Sequence, residues 1–340
     1  MPSDYAPAVR DPGLTLSRLR PPLFYAGGGV VPQLWRRLGA FDAVHLHYPF
    51  YGGAEYVYWA SWLKGQKYFL TYHMDVYGNT LLKRAVMAFY EPLFTRRIVR
   101  RASLISSPGA RFLRSSRIAG YVDWGRVVDM QYAGGDTMLF RPREKDAGLL
   151  KKHCLAGKVV VLFVGNLQPF KGLHLLIDAV AELNRKDISL LVVGGGYGEE
   201  SYRRQVSERR LDDRVIFAGP QSPSGDLPAY YNLADLLVLP STHSESFGLV
   251  VLEAMASGKP VIVSALPGPS QLVVPEKDGV IVRVGDVADL QNNLARLVDH
   301  PGTRQAMGIN GRKKVAETYT WEAIGAQVER ALTRVAVEGP

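Results

Sequence analysis

A single cysteine, Cys154, occurs in the 340 residues. One thiol excludes an internal disulfide framework, and a Cys-His zinc cluster cannot be built from it. A reducing compartment is therefore the expected setting. Runs of about 18 apolar residues are also missing, so no bilayer-spanning helix is expected, and the N-terminus lacks the basic-then-apolar layout of a signal peptide. Together these absences predict a cytoplasmic chain, soluble or peripheral at the inner face of a membrane. Negative charge is short in one half only: residues 1–150 hold 20 Lys and Arg against 11 Asp and Glu, whereas the remainder holds 21 of each. All of the net charge of +9 thus belongs to the N-terminal part. Such asymmetry implies an anionic partner there, namely a membrane surface, a lipid diphosphate or nucleic acid. An arginine-rich codon bias explains it without any partner. Nucleic acid is the weakest of the three, because no known aromatic-basic module is present.

What the chain does have is length for two α/β domains, each with its own core. Its most informative stretch is 236–263, LLVLPSTHSESFGLVVLEAMASGKPVIV. Leu236–Leu239 reads as a buried strand ended by Pro240. Phe247–Ser257 has helical spacing with Gly258 past its end, and Val261–Val263 reads as a second strand. That is one βαβ unit of a parallel sheet. With Ser246 as N-cap, Glu253 returns to the face of Ser246 about 10 Å along the axis. The free N–H groups of Gly248, Leu249 and Val250 then lie between Glu245 and Glu253. A helix start is an anion site and the distal acid can accept sugar hydroxyls, so a nucleoside diphosphate sugar fits lengthwise. A surface Glu on an amphipathic helix is the plainer account of Glu253. The apolar neighbours Val250, Val251, Leu252, Ala254 and Met255 weigh against it, since a Glu among them needs a partner.

This stretch resembles the E-x7-E motif of the retaining GT-B glycosyltransferases of family GT4, and the resemblance runs from about Phe41 to Trp321. It implies a GT-B α/β fold of two Rossmann-like parallel-sheet domains facing a cleft. The expected divisions are 1–145 for the acceptor side, 146–320 for the nucleotide-sugar side, and 321–340 for a helix returning to the first domain. By the resemblance Glu245 lies by the transferred sugar and Glu253 holds the ribose hydroxyls; Ser246, Phe247, Gly248 and Leu249, at the expected helix start between them, are further candidate donor-binding residues. The segment FDAVHLHYP at 41–49 resembles one that normally follows an opening β-α-β unit. About 50 residues of that pattern are lacking here, which predicts an incomplete N-terminal domain and an exposed sheet edge.

Further matches follow the chain. Tyr68–Thr71 is an expected strand delivering His73 to its carboxyl end, where open α/β sheets bind ligands; the resemblance assigns His73 to the donor sugar beside the reaction centre. His45 and His47, two apart on one strand face, are expected to pack. The run 81–102, LLKRAVMAFYEPLFTRRIVRRA, sets Lys83, Arg84, Arg96, Arg97, Arg100 and Arg101 opposite an apolar side, with a kink expected at Pro92. It reads as a basic amphipathic helix able to lie on anionic lipid, with Phe89, Tyr90 and Phe94 outward, or as a solvated face on a core helix. MQYAGGDTMLFRP at 130–142 resembles the approach to the interdomain linker, with Ala133 in the place of the usual Asn.

GNLQPFKG at 165–172 resembles G-R-L-x-x-x-K-G. Gly165 and Lys171 keep the diphosphate-binding pattern, while Asn166 replaces an Arg and loses its bidentate charged grip. GGGYGEE at 194–200 has Glu199 where G-x-G-x-x-G requires its third glycine, which argues against a dinucleotide loop; the resemblance puts Gly195 beside the nucleotide. No D-x-D sequence occurs, so no metal site is expected, and no cofactor beyond the sugar donor. The expected function is metal-independent hexosyl transfer from a nucleoside diphosphate sugar to a lipid-linked or glycan acceptor in cell-surface polysaccharide synthesis. A weak or inactive homologue that only binds the nucleotide sugar is the rival expectation.

Overall fold

A computed structural model describes residues 15–25, 28–76, 80–130 and 133–338. Of the stretches read above, Gln131 and Tyr132 of the linker approach lie outside them, as does the Lys83 side chain.

A short antiparallel ribbon of β1 (Leu23–Tyr25) and β2 (Gly28–Val30) precedes the first sheet. That sheet consists of β3 (Ala43–Tyr48), β4 (Lys67–Tyr72) and β5 (Leu104–Ser106), all parallel in the order β3-β4-β5. Its register runs from Ala43 opposite Lys67 to Tyr48 opposite Tyr72. β3 is thus two residues longer than its apolar run indicates, because His47 and Tyr48 continue the ladder.

The second sheet holds β6 (Val159–Val164), β7 (Ile188–Val193), β8 (Val215–Gly219), β9 (Leu236–Leu239), β10 (Val261–Ser264) and β11 (Gly279–Val282). Apart from the half-buried edge strand β8, these are Val-, Ile- and Leu-rich runs buried on both faces, the pattern a parallel sheet covered by helices requires. All six residues of β7 are buried. The order is β11-β10-β9-β6-β7-β8. From β6 the chain builds outward through β7 and β8, then returns to lay β9 on the other side of β6. The reversal between β6 and β9 is a topological switch point, where the connecting loops diverge and leave a crevice at the carboxyl ends.

The helix Trp321–Glu338 crosses back to the first sheet. Ala331 and Val335 pack with Phe69 and Leu104, and Lys67 Nζ donates to the Ala336 carbonyl at 2.9 Å. Near the crossing, Gly135 N donates to the Tyr319 carbonyl at 2.8 Å. Arg312 ties the same segment down, donating to the carbonyls of Phe140 (3.0 Å), Ala256 (2.8 Å) and Thr137 (3.1 Å).

Candidate active site at the switch point

The loops leaving β6 and β9 are stitched together where the sheet reverses. Thr242 N donates to the Phe170 carbonyl at 2.8 Å, which brings Lys171 to the loop carrying Glu245. Lys171 Nζ lies 2.6 Å from Glu245 Oε2, and Ser241 Oγ donates to the same oxygen at 3.1 Å. Only 20% of the lysine side chain and 10% of the glutamate are exposed. Such shielding makes the pair stronger than a surface bridge.

The helix after this loop starts later than its sequence predicts. It spans Leu249–Ala256, and its N-cap is Gly248 at φ +93°, with no side-chain cap. Ser246 is therefore not the N-cap. The cause is Phe247, whose ring is 4% exposed in the core: the chain must turn inward to bury it before the helix begins. The left-handed turn that results is one glycine adopts at little cost. The orphan N–H groups of the first turn still point toward the loop. Glu253 stands four residues past Leu249, about 6 Å along the axis, and accepts from Tyr231 Oη at 2.6 Å. Burial pushes the Glu253 carboxyl above the usual carboxylate range, the tyrosine bond only partly offsetting it.

Gly165, Asn166 and Gly195 lie in two interlocked loops. Leu167 N donates to the Gly195 carbonyl and Gly198 N to the Leu167 carbonyl, each at 3.0 Å. A side chain at Gly194 would collide with the Gly165 carbonyl. The glycine run thus serves close approach of loop to loop, on the β7 side of the switch point.

His73 follows β4 in the first sheet, apart from the Lys171–Glu245 pair. Its Nε2 is 2.7 Å from His47 Nδ1. His45 stacks on Phe69 at 4.6 Å and lies 2.7 Å from Thr71 Oγ1. Burial first, then the neighbouring imidazoles, push His45 and His73 from 6.5 down to about 4. His45 packs as expected; His47 is exposed but stacks on His73 at 4.9 Å while bonding it. Tyr231, Ser241 and His47 were not legible as site residues, since each partner lies on a distant element. The apolar surround of Glu253 did signal that some partner was needed.

The run 81–101 also departs from expectation. It is the helix Leu81–Tyr90, a π-helical turn Glu91–Thr95 and the helix Arg96–Arg101. Arg96 N donates to the Glu91 carbonyl, an i→i−5 bond that widens the turn around Pro92. Phe89 is outward, but Tyr90 and Phe94 are half-buried; the exposed apolar residues are Leu81, Val86, Phe89 and Leu93. Among the described residues no helix is long and apolar enough to cross a membrane.

Two parallel-sheet units with charged groups at a switch point define a GT-B-like α/β protein. Comparison with known proteins makes this specific. Residues 150–314 match the family described as glycosyl transferases group 1. The D-inositol 3-phosphate glycosyltransferase of Salinispora tropica is 30% identical over 334 residues, 91% of this chain and 67% of that protein. The chain belongs to the glycosyl transferases group 1. The enzyme of the same name from Corynebacterium efficiens is 39% identical over 206 residues, 57% of this chain and 48% of its own length. A GDP-mannose-dependent phosphatidylinositol monomannoside mannosyltransferase of Mycolicibacterium smegmatis is 30% identical, covering 66% and 60%. Among solved structures, sucrose-phosphate synthase from Thermosynechococcus elongatus superposes with a TM-score of 0.75 at 26% identity, over 90% of this chain and 77% of that one. The matches span about half the length of the D-inositol 3-phosphate glycosyltransferases of Corynebacterium and Nocardia.

Proposed function

We propose that the chain is a retaining GT4-type glycosyltransferase moving a hexose from a nucleoside diphosphate sugar to the hydroxyl of a lipid-linked sugar or glycolipid, in cell-surface polysaccharide synthesis. The observation that carries this is Lys171 held 2.6 Å from Glu245 at the switch point, with Glu253 one turn inside the adjoining helix. In this proposal the diphosphate lies against Lys171 and the orphan N–H groups of Leu249 and Val250, which meet the leaving-group charge. Glu253, oriented by Tyr231, accepts the ribose hydroxyls. Glu245 and His73 address the transferred sugar, and Gly165, Asn166 and Gly195 border the nucleotide. The division of labour proposed is 1–145 for the acceptor, 146–320 for the donor, and 321–340 as the returning helix.

Relatives named for an inositol phosphate and for a phosphatidylinositol mannoside support a phosphate-bearing acceptor. The positive N-terminal half and the exposed ridge Leu81, Phe89 and Leu93 support docking of that half on anionic lipid, at the cytoplasmic face.

Calorimetric titration with nucleoside diphosphates tests the donor site. Loss of a hydrogen bond to a charged group costs about 1.5–3 kcal/mol, so Lys171→Ala and Glu253→Ala should each bind about 10- to 100-fold more weakly. Unchanged affinity in both would overturn the assignment. Turnover is expected to persist in EDTA; loss that manganese restores would contradict metal independence.

A further inference from the structure

A second charged cavity lies at the opposite pole of the first sheet. It has a volume of about 690 Å3 and opens where β4 and β5 begin, beside Gln66, Lys67 and Ser103. A six-residue strand, about 20 Å, separates this pole from the carboxyl end bearing His73. Five cations line it: Lys67, Arg97, Arg100, Arg101 and Arg126; no Asp or Glu does. It lies outside residues 150–314, which carry the family match.

Four of these cations are held in place without being neutralised there. Arg101 donates to the Ser61 carbonyl at 2.7 Å and to Ser61 Oγ at 3.0 Å. Arg126 donates to the Ala102 carbonyl at 3.1 Å, Arg97 to the Leu93 carbonyl at 2.5 Å and Lys67 to the Ala336 carbonyl at 2.9 Å. Carbonyl acceptors fix a guanidinium but leave its charge whole, and each has N–H groups to spare. Among the described residues the one carboxylate paired with a cavity cation, Asp123, is 3.2 Å from Arg126 in an exposed pair, which water screens. The Arg100 guanidinium makes no hydrogen bond or ion pair among the described residues, though its carbonyl accepts from Arg126 at 3.4 Å. A bound anion would offset the cations' mutual repulsion.

The rim identifies the anion's carrier. Trp62 lines the cavity and is 57% exposed, and Leu63 beside it is 59% exposed. Trp59 meets Trp62 edge-on at 5.8 Å. The exposed residues Leu81, Phe89 and Leu93 precede Arg97 in the chain by 16, eight and four positions. Indole rings and leucines around a basic pocket match the interface of a bilayer. We infer that this cavity binds the phosphomonoester headgroup of an anionic phospholipid. A dianionic phosphate with three acceptor oxygens suits spare donors from five cations, while Trp62 and Leu63 enter the acyl boundary. The inference rests on the membrane reading above for the phosphate's source and is independent of the donor site.

The test is co-sedimentation of the full chain with phosphatidylcholine vesicles carrying phosphatidic acid or, at matched surface charge, phosphatidylserine. Several-fold preference for phosphatidic acid is expected. Arg100→Glu should abolish that preference, whereas Arg96→Glu, the same charge change outside the cavity, should weaken both vesicles alike and keep it. No preference in the wild type, or equal behaviour of the two variants, means diffuse attraction and overturns the site. Free glycerol 3-phosphate that saturates the protein as readily as vesicles do would overturn the lipid source; competition only in large excess supports it. Nucleoside diphosphate affinity measured on Arg100→Glu should equal the wild type, which shows the variant folded and separates failure here from failure of the donor site.

Discussion

Three imidazoles at the carboxyl end of the first sheet share one environment, and their protonation follows from it. His45 and His73 titrate near 4 in the folded chain, against about 6.5 when unfolded. Between those values the unfolded chain binds protons that the folded one refuses. The resulting stability is present in full above pH 6.5 and is lost as pH falls toward 4. Denaturant unfolding at pH 7 and pH 5 should therefore show a loss at pH 5 that shrinks in His45→Gln, His73→Gln. Equal losses in variant and wild type would mean the rings are charged at pH 5. At pH 7 His73 is neutral, so in its proposed role it would meet a sugar hydroxyl as an uncharged donor or acceptor, with its tautomer set by His47.

Among elements, the helix Leu249–Ala256 shows where sequence stops being sufficient. The strands on both sides were legible because Leu236–Leu239 and Val261–Val263 are unbroken apolar runs buried on both faces. The helix start was misplaced because Ser246 has the better intrinsic capping preference. Burial of Phe247 against the core outweighed it, a long-range term no local pattern carries. Likewise Pro92 announced a disturbance, but that a π turn would absorb it depended on packing. Gly248→Ala tests the revised boundary. At φ +93° a Cβ costs about 1–2 kcal/mol, so chemical denaturation should show a loss of that order, with weaker nucleoside diphosphate binding from the displaced N–H groups. A stability equal to wild type would return the cap to Ser246.

At the scale of the molecule, charge and apolar exposure coincide. The half that holds all the excess charge also holds Leu81, Val86, Phe89 and Leu93 in the open. Binding to anionic vesicles should fall steeply as salt rises, because interactions beyond a Debye length of about 10 Å at 0.1 M are screened. Phe89→Ser should lower binding at every salt concentration without changing that slope. Recovery of the wild type in the supernatant even at low salt would favour a soluble acceptor.

The Lys171–Glu245 pair has a kinetic corollary. If the diphosphate lies against Lys171 as proposed, it must share that ammonium with Glu245, whose Oε2 is 2.6 Å away. In the proposed donor site Glu245 would then compete with the diphosphate for that ammonium and favour product release. Glu245→Gln should hold nucleoside diphosphate several-fold more tightly and release it more slowly, visible as a lower off-rate in stopped-flow displacement. Unaltered off-rates would show that the carboxylate lets go of Lys171 at no cost.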